Sequence, residues 1–86
     1  GSTAAAETAV LEAMRIQREM GCEPELGRSH LAYALLLDGW SRTEEAMAQL
    51  GHAVQIFRRL GMPADLARAE AAFAPAPVEE TAGIAP

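Results

Sequence analysis

A chain of 86 residues has room for one small domain, and its formal net charge of −5 sets limits on its partners. An acidic balance argues against nucleic acid, whose phosphates reward a basic face, and against an anionic membrane surface. No stretch approaches the ~18 consecutive apolar residues of a spanning helix, and one cysteine cannot close an intrachain disulfide.

With no signal peptide in view, a cytoplasmic setting is expected. Every basic residue is arginine, and lysine and asparagine are absent. Together with the many alanines, this codon usage points to a GC-rich bacterial genome. Half of the residues are hydrophobic, but alanine supplies much of that fraction. A lone core below about 80 residues typically supplies only ~3–5 kcal/mol, so burial against a partner is expected. Gly1-Ser2 reads as a cloning remnant and the whole as a piece of a longer protein.

The first helix is predicted from Thr3 to Met20. Ala4, Ala5 and Ala6 are strong helix formers. Ala9, Ala13, Ile16 and Met20 lie along one face, with Glu12, Arg15 and Glu19 along another. Gly21 stands where a left-handed C-cap is expected, and Cys22-Glu23-Pro24 makes the turn. The second helix runs from Glu25 to about Asp38, with Pro24 near its first turn. Its run Leu35-Leu36-Leu37 wraps apolar surface around most of the circumference, as in a helix with neighbours on several sides.

Gly39 is expected to end that helix and Trp40 to sit in the loop. Ser41 and Glu44 have the spacing of a capping box for the third helix. That helix, Glu44 to Gly61, carries Ala46, Leu50, Ala53, Phe57 and Leu60 at steps of four and three. Met62-Pro63 turns the chain, and Ala64 to about Ala74 forms a shorter, alanine-rich fourth helix. From Pro75 onward three prolines, a glycine and no periodicity read as a disordered tail. The domain is therefore expected to span 3–74, with 75–86 outside it.

Sliding the chain by forty residues aligns Ala6 with Ala46, Ala13 with Ala53, Ile16 with Ile56, Arg18 with Arg58 and Gly21 with Gly61. The match continues through Leu26 with Leu66, Arg28 with Arg68, Ala32 with Ala72 and Ala34 with Ala74. Met20 and Leu60, Glu25 and Asp65, and Tyr33 and Phe73 are conservative pairs, whereas Gln17 stands opposite Phe57. A period of 20–50 residues with a helix pair per unit is the signature of a solenoid.

On these positions the chain resembles the tetratricopeptide (TPR) family. Leu31-Ala32 and Leu35 stand in for its first helix, and Gly39, Ala46, Leu50 and Ala53 for the loop and second helix. The ending AVQIFRRLGMPADLARAEAAFA resembles the divergent repeats of ATPase–TPR arrays in LuxR-type transcriptional regulators and in some nucleotide cyclases. The resemblance covers roughly Ala4 to Ala74. Relative to that family the Asp38–Arg42 loop is lengthened by two residues, and Arg28 occupies the region where an aromatic is usual. The resemblance implies an all-α, right-handed array of antiparallel hairpins, about four helices, with Leu31, Ala32, Leu35, Ala46, Leu50, Ala53, Phe57 and Leu60 in its core.

The expected function is a protein–protein interaction or self-association module of a bacterial signalling or transcription-regulating protein. Its partner is a protein, a peptide or a second copy of itself; no enzymatic activity, cofactor, metal or small-molecule substrate is expected. Five residues are candidates for the binding surface. Arg28 and Arg68 either pair with Glu25 and Asp65 three residues earlier on their own helices or line a face for an acidic peptide. Tyr33 and Phe73 either pack in the core or face a ligand. Trp40 either folds over Leu36 or Met47 or anchors an interface. His30 and His52 lack the converging third and fourth groups of a zinc site. Cys22 beside Glu23 lacks the positive surroundings of a reactive thiol. Two rival readings are a phosphorelay bundle centred on His52 and a passive structural spacer.

Overall fold

The computed structural model describes residues 2–73. Among these the chain is all-α: α1 (Ser2–Met20), α2 (Glu23–Gly39), α3 (Thr43–Leu60) and α4 (Pro63–Ala72). Ser2 is the first residue of α1. Gly1, Ala74 and the expected tail at 75–86 lie outside the described residues.

The three connections share one construction. Gly21, Ser41 and Gly61 stand twenty residues apart, and all have positive φ, at 73°, 65° and 68°. Their amides bond back to Arg18, Asp38 and Arg58, and those of the following residues, Cys22, Arg42 and Met62, bond to Gln17, Leu37 and Phe57. This is the Schellman arrangement, which satisfies the last carbonyls of a helix with a left-handed residue. The carbonyls of Cys22, Arg42 and Met62 then accept the first bonds of the next helix, from Leu26, Ala46 and Leu66, each at 2.9 Å. One residue thus ends a helix and starts another, so successive helices reverse direction.

Gly39 is the last residue of α2, as expected, and the left-handed residue is Ser41, two positions on. Two expectations are corrected. Arg42 becomes the N-cap of α3 and makes no side-chain cap bond, so the Ser41–Glu44 capping box does not form. For the same reason the Asp38–Arg42 segment is no lengthened loop: its first residues belong to α2.

The helices pack in chain order, with α1 against α2, α2 against α3 and α3 against α4; α4 also reaches α2. The α2–α3 contact is the most extensive, and α2 buries residues across a broad arc: Leu26, Gly27, His30, Leu31, Tyr33, Ala34 and Leu37. On α3 the buried stripe is Ala46, Leu50, Ala53, Ile56 and Phe57. Phe57 has no exposed surface, and full burial of such a ring is worth ~1.5–3 kcal/mol.

Of the expected core, Leu31, Ala46, Leu50, Ala53 and Phe57 are buried, whereas Ala32, Leu35 and Leu60 are exposed. At 100° per residue, Ala32 and Leu35 fall with Arg28 on the side of α2 opposite its buried arc. Leu60 is the last residue of α3, past the end of the packed stripe. On α1 the half-buried and buried positions are Ala6, Glu7, Val10, Ala13, Met14 and Gln17. Ala9, Ile16 and Met20, expected on the packed face, lie on its exposed flank. They are rotated by about a quarter turn from the line that meets α2.

Candidate functional site

Three side-chain clusters and an apolar strip on α1 stand out on the described surface, beside the exposed Arg15–Glu12–Glu19 ion pairs of α1 and the exposed Leu35 and Met47. The first cluster lies where α1, the end of α2 and the start of α3 meet. Tyr33, buried to 5 % exposure, donates its hydroxyl hydrogen to Glu7 Oε2 on α1. Arg42 grips the same carboxylate, with Nη1 3.0 Å from Oε1 and Nη2 2.9 Å from Oε2. Arg42 also donates to Glu45 through Nε at 3.1 Å and Nη2 at 2.6 Å, and its guanidinium carbon stands 6.0 Å from the centre of the half-buried Trp40 ring.

The Arg42 hydrogen bond, then that of Tyr33, holds the Glu7 carboxyl below its ordinary range. Burial, then the bond to Glu7, pushes the Tyr33 hydroxyl up to about 12. Hydrogen bonds from Glu45 and Glu7 raise the Arg42 guanidinium pKa above its already high value. Sequence reasoning passed over Glu7 and Arg42. The available signal was an acidic residue in line with Val10 and Met14 on the packed face of α1, because a carboxylate there needs a partner.

The second cluster joins α2 to α4. Arg28 reaches past Glu25 on its own helix to Asp65, with Nε and Nη2 each 3.3 Å from a carboxylate oxygen. Arg68 donates to the same carboxylate at 2.7 Å. Asp65 therefore sits between the two recurring arginines, and the bond from Arg28 is the first cause of its lowered pKa. The Glu25–Arg28 pair expected within α2 is replaced by this interhelical one, whereas the Asp65–Arg68 pair forms. Two further bridges cross between helices: Arg59 to Glu23 at 2.7 Å and Arg58 to Glu70 at 3.2 Å. All are exposed at one partner or both, which limits each to at most about 1 kcal/mol.

The third cluster pairs the two histidines across α2 and α3. Their ring centres lie 5.0 Å apart at a tilt of 35°. His30 is buried, with Nδ1 2.7 Å from Gln49 Oε1, so that nitrogen carries the hydrogen and donates it. Burial is the first cause that lowers the His30 pKa. His52 is exposed. Among the described residues no three histidine, cysteine or acidic side chains converge as metal ligands. Cys22 is half-buried at the N-cap of α2.

Tyr33, Trp40 and Arg42 thus meet in one place and Arg28 with Arg68 in another, while Phe73 is half-buried at the end of α4 against the core. The apolar strip is the flank of α1 formed by Ala9, Ile16 and Met20. Met20 is 70 % exposed and Ile16 41 %, yet Ile56, forty residues on, is buried against α2 at 8 %. Gln17, which stands where α3 has Phe57, leaves its buried Oε1 without a hydrogen-bond partner among the described residues. No described helix is long and apolar enough to cross a membrane.

These elements define a layer of antiparallel helices with no strand among the described residues. No protein-family model matches the chain, and no curated protein or solved structure is significantly similar to it.

Proposed function

We propose that this chain is a protein-interaction and self-association module of the tetratricopeptide-like kind, part of a bacterial regulatory or signalling protein. The observation that carries the reading is the contrast between Ile16 and Ile56. The same residue type, on the same side of helices forty residues apart, is covered by α2 in one case and left open in the other. A contiguous exposed apolar patch, unlike scattered single side chains, marks a surface that meets another chain, and Ile16 and Met20 lie one turn apart on α1. The forty-residue echo of the sequence and the TPR-like positions Ala46, Leu50 and Ala53 support the structural half of the proposal.

Light scattering across a wide concentration range tests it. The mean mass of the wild-type chain is expected to rise above that of one chain as concentration increases, and Ile16→Arg is expected to abolish the rise. A mass that stays at one chain throughout rejects self-association.

A further inference from the structure

We infer that copies of this chain associate head to tail, with the outer face of α4 on one copy seated against the Ile16 flank of α1 on the next. This deepens the self-association reading and rests on it. The contact inside the chain between α2 and α3 supplies the pattern. There, Gly27 of α2 packs so close to α3 that a Cβ on it would lie 2.7 Å from Phe57 Cε1 and 3.0 Å from Ile56 Cγ2. Arg28, next to it, reaches Asp65.

Moving this contact forward by forty residues takes it off the end of the chain and onto a second copy. Gly27 becomes Ala67, and its neighbours Ile56 and Phe57 become Ile16 and Gln17 of the next copy. Arg28 becomes Arg68, and Asp65 becomes Glu25 of the next copy. Each substitution suits the new contact. Ala67 carries the methyl group that Gly27 must lack, and it faces the slim, flexible Gln17 side chain instead of a rigid ring. The charge pair is kept, arginine on one side and carboxylate on the other. Ala67, Arg68, Ile16 and Glu25 are all exposed among the described residues, and Arg68 also donates to Asp65 one turn back on its own helix.

One apposition opposes the contact. The pair His30–His52 becomes Glu70 facing Glu12, although each of these already has its own arginine, Arg58 and Arg15. A face on α4 that differs from its partner on α1 makes the contact heterologous. It leaves one free face at each end of every dimer and allows growth beyond two copies.

The test uses two variants that block opposite ends, Ile16→Arg and Ala67→Arg, both at exposed positions where folding is checked by circular dichroism. By sedimentation velocity the wild type is expected to form dimers and larger species. Each variant alone is expected to stay at the mass of one chain, and an equal mixture of the two to form a species of two chains and no larger. As a second readout, Glu25→Arg is expected to weaken association and Arg68→Glu to restore it when the two are mixed. If the wild type associates but Ala67→Arg does so equally well, or the mixture stays monomeric, the head-to-tail geometry is overturned and self-association by another face remains. A wild type that is monomeric at every concentration overturns both, leaving these faces to other helices.

Discussion

A Cβ atom placed on Gly27 would lie 2.7 Å from Cε1 of Phe57, closer than non-bonded carbons approach. The bare backbone of α2 at this point is what lets the Phe57 ring lie fully buried between helices. In an exposed helix, glycine to alanine gains about 1 kcal/mol. At Gly27 the methyl group must displace an aromatic ring, and overpacking of that kind costs about 1–3 kcal/mol.

Gly27→Ala is therefore expected to lower the denaturation midpoint, and Gly51→Ala to raise it. Gly51 lies in the interior of α3, and its added Cβ meets nothing within 4 Å. Urea unfolding of the two variants checks the opposite signs. A stabilised Gly27→Ala would mean that the Phe57 ring is not held where it stands.

Ser41 holds a left-handed conformation that Gly21 and Gly61 adopt without steric cost. For a residue with a Cβ that conformation costs roughly 1–2 kcal/mol. Ser41→Gly is expected to stabilise the fold by about 1 kcal/mol, less the extra chain entropy of glycine. Gly61→Ala is expected to destabilise it by about as much. Thermal melts of the pair would show an upward shift for one and a downward shift for the other.

Tyr33 is the chain's single tyrosine, so the absorbance of its phenolate reports on it alone. Burial and the bond to Glu7 push its hydroxyl up to about 12, against about 10 in an unfolded chain. A raised pKa favours the neutral form in the folded state. The resulting stability is whole below pH 10 and is lost as pH rises through 12. Spectrophotometric titration is expected to give a midpoint near 12 in buffer and near 10 in denaturant. Tyr33→Phe is expected to remove this part of the alkaline loss of stability.

His30 faces Gln49 and His52 from α3 and Arg18 from α1. Burial disfavours its charged form, so its folded pKa lies below the ordinary 6.5. The stability this represents is present above pH 6.5 and is lost as pH falls through the lower folded value. Nuclear magnetic resonance of the two histidines is expected to place the His30 midpoint below 6.5. His30→Gln is expected to flatten the decline in stability over that range. A midpoint at or above 6.5 would count against the buried position.

The sequence by itself determined the all-α class, the four helices of the described residues, most of their limits and the left-handed cap at Gly21. Those features are local: they follow from backbone hydrogen bonds four residues apart and from the one residue type that adopts positive φ freely. It also marked most of the packed stripe of α3, because a helix with strongly spaced large and small residues has one face to bury. Tertiary structure decided what depends on neighbours. On α1 both Ala9-Ile16-Met20 and Ala6-Val10-Met14 are apolar at helical spacing, and the position of α2 alone determined which of them is covered. Arg28 had a carboxylate three residues away on its own helix, yet the approach of α4 gave it Asp65. Ser41 became left-handed because α2 runs to Gly39 before the turn, a register no short motif records. Glu7 with Arg42, and His30 with His52, are pairs between helices, and their meeting is a property of how the helices pack.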